Sequence, residues 1–98
     1  MPLPRLTDNE LRTALDALPG WSVISGKLHR HYKFSDFVHA FGFMATSALA
    51  IEKMAHHPEW SNVYNRVTVD LETHDSEGIT AKDTALAAVL DSIAVRML

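Results

Sequence analysis

The chain has no cysteine among its 98 residues, which excludes a disulfide scaffold, thiolate metal ligation and thiol catalysis, and fits a reducing compartment. It also lacks any run of lysine or arginine. Nine basic residues are scattered against twelve acidic ones, for a formal charge of −3; a protein that grips the phosphate backbone normally carries a basic face, so no direct nucleic-acid partner is expected. No uncharged apolar run approaches the ~18 residues of a membrane span. Met1-Pro2-Leu3-Pro4-Arg5 has neither the apolar stretch nor the cleavage site of a secretory leader, so the expected location is cytoplasmic, with no membrane partner. Glycine and proline number four each and stand singly between periodic segments, so there is no linker, repeat or low-complexity tract to divide the chain. With 47% hydrophobic and 21% charged residues, the composition is that of an ordinary globular chain. One domain is expected over residues 1–98, with a thin core. Against these absences stands one surplus: six histidines, three of them at positions 56, 57 and 74.

The local patterns place these histidines. Thr7-Asp8-Asn9-Glu10 reads as a capping box opening a first helix, continued by Leu11, Ala14, Leu15 and Leu18 at helical spacing and ended by Pro19-Gly20. Trp21 to Ser25 reads as a strand, Gly26 as its turn, and Lys27 to Phe34 as a second strand, in which Leu28, Tyr32 and Phe34 alternate with polar residues. Arg30 falls on the apolar side and is expected at an edge; His29 and His31 are expected on the solvated face. A long helix should run from about Asp36, capped by Ser35, to about His56. On it Phe37, Phe41, Met44, Ala48, Ile51 and Ala55 form the expected core stripe, and Phe43, Ala50 and Met54 a second apolar stripe on the far side. That second stripe is the candidate oligomer interface. Pro58 stops the helix at the histidine pair. Two strands follow, Trp60 to Tyr64 and Arg66 to Glu72, with a turn near Asn65 short enough for a hairpin. A second capping-box-like start, Thr80-Ala81-Lys82-Asp83, opens the last helix. The order α-β-β-α-β-β-α predicts an α+β fold: one four-stranded antiparallel sheet with three helices on one face.

The stretch Glu52-Lys53-Met54-Ala55-His56-His57-Pro58, with Trp60, Tyr64, Thr73-His74 and Asp83, carries the candidate chemistry. His56 and His57 sit where a helix breaks and His74 follows the end of a strand, so the three can converge at one sheet edge. Imidazoles exchange protons near neutrality, and Glu52, one helical turn before His56, could hold that ring in one tautomer. Structural explanations compete for each residue. A histidine ending a helix suits the macrodipole, His74 can be a loop residue, Asp83 can serve only the cap at Thr80, and Trp60 and Tyr64 can be sheet-packing aromatics. Adjacent histidines project ~100° apart on a helix and no short-spaced chelating pair is present, so no metal site is expected.

Taken together, the run Glu52-x3-His56-His57-Pro58-x5-Tyr64-x9-His74-x8-Asp83 closely resembles the signature of the pterin-4a-carbinolamine dehydratases. His57-Pro58-Glu59-Trp60, Asn62-Val63-Tyr64-Asn65, Thr73-His74, Gly78-Ile79-Thr80, Gly20-Trp21 and the Phe34-x2-Phe37-x3-Phe41 spacing agree with it, from about Leu6 onward. The resemblance implies an α+β fold with three helices on a four-stranded antiparallel sheet. It implies dehydration of 4a-hydroxytetrahydropterin to quinonoid dihydropterin, with His56, His57 and His74 as the catalytic residues. Glu52, Pro58, Trp60, Thr73, Asp75, Ser76 and Asp83 would contribute to substrate binding. No metal, nucleotide or redox cofactor is implied. The implied partners are a small-molecule pterin, an aromatic amino acid hydroxylase as its source, and further copies of the chain in a dimer or tetramer. Members of the family also serve as protein-binding modules, as dimerisation cofactors of a homeodomain transcription factor or as assembly factors for a carbon-fixing enzyme, which gives a second implied function.

Overall fold

The computed structural model describes residues 2–98. Its elements, in chain order, are α1 (Asp8–Asp16), β1 (Ser22–Ile24), β2 (Lys27–Lys33), α2 (Phe37–Met54), β3 (Glu59–Val63), β4 (Arg66–Leu71), a 3-10 turn (His74–Ser76) and α3 (Ala81–Ala94). The strands form one antiparallel sheet in the order β1-β2-β4-β3, as the alternation of polar and apolar residues predicts. The register sets Leu28 opposite Leu71 and Tyr32 opposite Val67. The apolar members of the two central strands therefore share one face, where they are buried, while His29, His31, Thr68 and Asp70 share the other.

Local chemistry accounts for the ends of these elements. Both capping boxes form, Thr7 with Glu10 and Thr80 with Asp83. The β1–β2 hairpin turns on Ser25 and Gly26, both at positive φ, the combination a two-residue hairpin favours. The β3–β4 hairpin turns on Tyr64 and Asn65; Tyr64 takes a left-handed φ of 51°, and the Asn62 amide holds the turn by donating to the carbonyls of Tyr64 and Arg66. Arg30 is on an inner strand, not an edge strand, although it lies just past the three residues that β1 covers. Its guanidinium stacks over the Tyr32 ring and pairs with Asp91 of α3 at 2.9 Å.

The long helix departs from expectation in three ways. Its N-cap is Asp36, whose carboxylate accepts from the His39 N–H at 2.8 Å, so Ser35 lies outside. It ends at Met54, because Ala55 adopts a left-handed φ of 52°. The buried row is Ala40, Phe43, Ser47 and Ile51, not the stripe through Phe37 and Phe41. Phe43 is 0% exposed, against Tyr32 and Phe34 with ring centroids 4.8 and 5.2 Å away. It is a core residue and no part of an outer contact surface; Ala50 and Met54 are half-buried. The outward apolar face consists of Phe37, Val38, Phe41 and Leu49, with Leu49 77% exposed. Apolar residues occur all round this helix, so periodicity alone admits more than one phase.

Candidate functional site

The end of α2 turns the histidine pair in opposite directions. The left-handed Ala55 closes the helix, with its N–H on the Glu52 carbonyl and the His56 N–H on the Ile51 carbonyl. A non-glycine residue in this conformation carries about 1 kcal/mol of strain, held here by the contacts on either side. His56 then enters the interior and is buried, while Pro58 keeps the backbone extended and the His57 side chain remains 65% exposed.

His56 meets Asp83, the first buried position of α3. Asp83, Leu86, Ala87, Leu90 and Ala94 form one buried row, so a carboxylate occupies a core position and requires full hydrogen bonding. It is 0% exposed and fully used. Oδ1 lies 2.5 Å from His56 Nε2; Oδ2 accepts from the Thr73 hydroxyl at 2.9 Å and from the Thr80 N–H at 2.8 Å. The Thr80 and Thr73 hydroxyls are 2.7 Å apart. As the Thr73 proton is given to Asp83, Thr80 donates to Thr73, and Thr80 in turn accepts from the Lys82 N–H. An ionised carboxylate only accepts, so His56 carries its proton on Nε2 when neutral and keeps a lone pair on Nδ1. The expected partnership of Glu52 with His56 does not form: Glu52 lies 3.1 Å from His57 Nε2, with both groups exposed. Because the helix ends at Met54 and Ala55 turns left-handed, the i,i+4 geometry that would join Glu52 to His56 stops two residues short. Asp83 both completes its capping box and holds the imidazole.

His56, His57 and His74 line one cleft of about 180 Å³, together with Glu72, Thr73 and Asp75; Ala55 and Lys82 complete it. His74 opens the 3-10 turn beyond β4, its side chain 78% exposed and its Nδ1 3.8 Å from Glu72 Oε1. Of the expected binding residues, the cleft includes Thr73 and Asp75, with Asp83 directly behind His56. Glu52 stands beside it through His57. Pro58 lies in the segment leading to β3. Trp60 is paired with Val69 and packed against the core, Tyr64 is an exposed hairpin residue, and Ser76 gives its hydroxyl proton to the Leu3 carbonyl. Sequence reasoning missed Glu72 and Lys82. Each sits one or two positions from a motif residue, which is the signal that could have found them. The other histidines lie outside the cleft, His29 with Asp70, His31 with Thr68 and His39 with Asp36.

One group of donor atoms has the spacing a cation would use: Glu59, Glu72 and His74 lie within 4.8 Å of one another. Lys27 already supplies positive charge there, its ammonium 2.8 Å from Glu59, and that carboxylate holds the lysine above its usual pKa.

The sequence profile of the Pterin 4 alpha carbinolamine dehydratase family matches residues 4–93. The chain belongs to this family. A Solibacter usitatus (strain Ellin6076) protein carrying the pterin-4-alpha-carbinolamine dehydratase name is 60% identical over 90 residues, covering 92% of this chain and 95% of that protein. A Burkholderia multivorans (strain ATCC 17616 / 249) protein of the same name is 48% identical, covering 92% and 90%. A crystal structure of a Brucella melitensis protein described as a transcriptional coactivator/pterin dehydratase superposes with a TM-score of 0.88 at 50% identity, covering 92% of this chain and 98% of that one. The activity in the family's name is that of a hydro-lyase. No helix among the described residues is long and apolar enough to cross a membrane.

Proposed function

We propose that the chain dehydrates 4a-hydroxytetrahydropterin to quinonoid dihydropterin and water, using His56, His57 and His74 and no cofactor. The observation that carries this reading is the meeting of three imidazoles in one cleft, one of them tied to a fully buried carboxylate. The 4a hydroxyl leaves as water once it is protonated, driven by the lone pair of the adjacent N5, and the iminium left behind gives up a ring proton. One imidazolium supplies the first proton and a second, neutral imidazole accepts the ring proton. The extra proton then passes through solvent from the second ring back to the first, which resets the site with no redox change. His56 and His74 carry these transfers, and His57 positions the ring. A positioned general acid or base contributes about 10²–10⁴-fold. Thr73 and Asp75 border the pterin, and Lys82 adds a basic side chain to the cleft lining. The substrate is what an aromatic amino acid hydroxylase leaves behind, so the reaction belongs with such an enzyme in the cytoplasm. The test is the rate of 4a-carbinolamine loss with wild type, His56→Ala and His74→Ala. The expected result is acceleration by wild type and a fall of about 10²-fold or more in each variant; folded variants at wild-type rate contradict it.

A second reading concerns partners. The exposed apolar face of α2, running from Phe37 through Phe41 to Leu49, is the contact for a second copy of the chain, in place of the expected row through Phe43. Such a patch is costly to leave in water, and the Brucella melitensis structure bears a coactivator description, which suits a chain that also docks on protein. Sedimentation of Leu49→Lys should show a smaller species than wild type; an unchanged species places the contact elsewhere.

A further inference from the structure

His74 sits on a small closed loop. The Thr73 N–H donates to the Gly78 carbonyl at 2.8 Å, the Ser76 N–H to the Thr73 carbonyl at 3.1 Å and the Glu77 N–H to the His74 carbonyl at 3.0 Å. On one side the loop is anchored through the Thr73 hydroxyl on Asp83. Its other side is held by the start of the chain, in three separate ways. The Leu6 N–H donates to the Ile79 carbonyl at 2.9 Å. The Ser76 hydroxyl donates to the Leu3 carbonyl. The Arg5 side chain crosses Gly78 so closely that a Cβ at position 78 would come within 2.6 Å of Arg5 Cδ. Gly78 is buried, and it is the close approach of Arg5, not an unusual φ, that excludes a side chain here.

We propose that the segment Leu3–Leu6 clamps the Thr73–Gly78 loop and thereby positions His74 for proton transfer, with Ser76 and Gly78 as positioning residues and not pterin contacts. The imidazole of His74 is itself exposed and, among the described residues, has no hydrogen-bond partner, its Nδ1 lying 3.8 Å from Glu72, so the region its ring can reach is set by where the loop backbone stands. General acid–base transfer depends on sub-ångström placement. A loop loosened on one side would keep its fold, and its Thr73 anchor on Asp83, yet lose rate. The kinetic part of this inference rests on the dehydratase reading above; the structural part does not.

The test uses the full chain as Ser76→Ala, Gly78→Ala and the conservative Ser76→Thr. Hydrogen exchange at the Ser76, Glu77 and Gly78 amides should accelerate about tenfold in the first two, with the β2 and β4 amides unchanged. In the dehydration assay kcat should fall about five-fold in Ser76→Ala, as expected for losing one hydrogen bond that acts through position, with a smaller rise in KM because Asp75 lies on the same loop. Ser76→Thr should restore both. Loop amides that exchange at wild-type rates in both variants overturn the clamp, as does a loosened loop with unchanged kcat in an active enzyme. An inactive wild type refutes the dehydratase reading instead, and the exchange measurement then decides the clamp alone.

Discussion

Two aspartates on α3, Asp83 and Asp91, receive similar treatment from the fold and meet different partners. Asp83 takes hydrogen bonds from His56, Thr73 and the Thr80 backbone. Asp91 takes them from the Trp21 indole at 3.0 Å, the Arg30 guanidinium at 2.9 Å and the Tyr32 hydroxyl at 2.5 Å. Both tie the helix to the sheet. The difference lies in their partners. None of those around Asp91 exchanges a proton near neutral pH: burial and then the hydrogen bond to Asp91 push the Tyr32 phenol well above its usual range, and an arginine stays charged. Around Asp83 one partner is an imidazole, and that imidazole borders an open cleft. Asp83 is fully buried and Asp91 half-buried; what sets them apart is that Asp83 holds an imidazole that lines the cleft and Asp91 does not.

This contrast can be broken from either end. The largest effect is expected at Asp83→Ala, which removes the acceptor of a buried imidazole, a hydroxyl and a backbone N–H. Unfolding in denaturant should show a loss of about 3–5 kcal/mol, together with lost dehydration. Asp91→Asn keeps the shape and removes the charge facing Arg30; about 2 kcal/mol is expected, read as a midpoint lower by about 10 °C, with turnover unchanged below that midpoint. Tyr32→Phe removes one hydrogen bond, worth about 1 kcal/mol, and alters the alkaline limb of stability. The folded phenol binds its proton more tightly than the unfolded one, so its contribution is fully present below the unfolded value near pH 10 and declines as pH rises past it. The midpoint measured from about pH 9 to 11 should therefore fall more steeply in wild type than in Tyr32→Phe.

Much of this was legible in the residues. Strand alternation from Leu28 to Phe34 and from Val67 to Leu71 fixes the sheet and its buried face, and the two capping boxes fix the starts of α1 and α3, because each pattern has one physical solution. The convergence of His56, His57 and His74, expected from a broken helix and a strand end, places all three in the lining of one cleft. Three features were hidden. The phase of α2 was ambiguous because Phe37, Phe41 and Phe43 offer aromatic bulk on different faces, and only the shape of the sheet surface selects Phe43. The partner of His56 was misread as Glu52 because the left-handed turn at Ala55 is a backbone event that alanine does not advertise. The placement of Ser76 against Leu3 depends on residues 73 positions apart in the chain, beyond any local pattern.

The most direct test of the central claim compares Asp83→Asn with Asp91→Asn in the same dehydration assay, at a temperature where both are folded by circular dichroism. Asparagine at 83 preserves size but no longer fixes the imidazole tautomer or offsets its charge, so kcat should fall about 10²-fold while Asp91→Asn stays within about two-fold of wild type. Equal rates in the two variants would contradict the assignment of Asp83 and His56 to the chemistry.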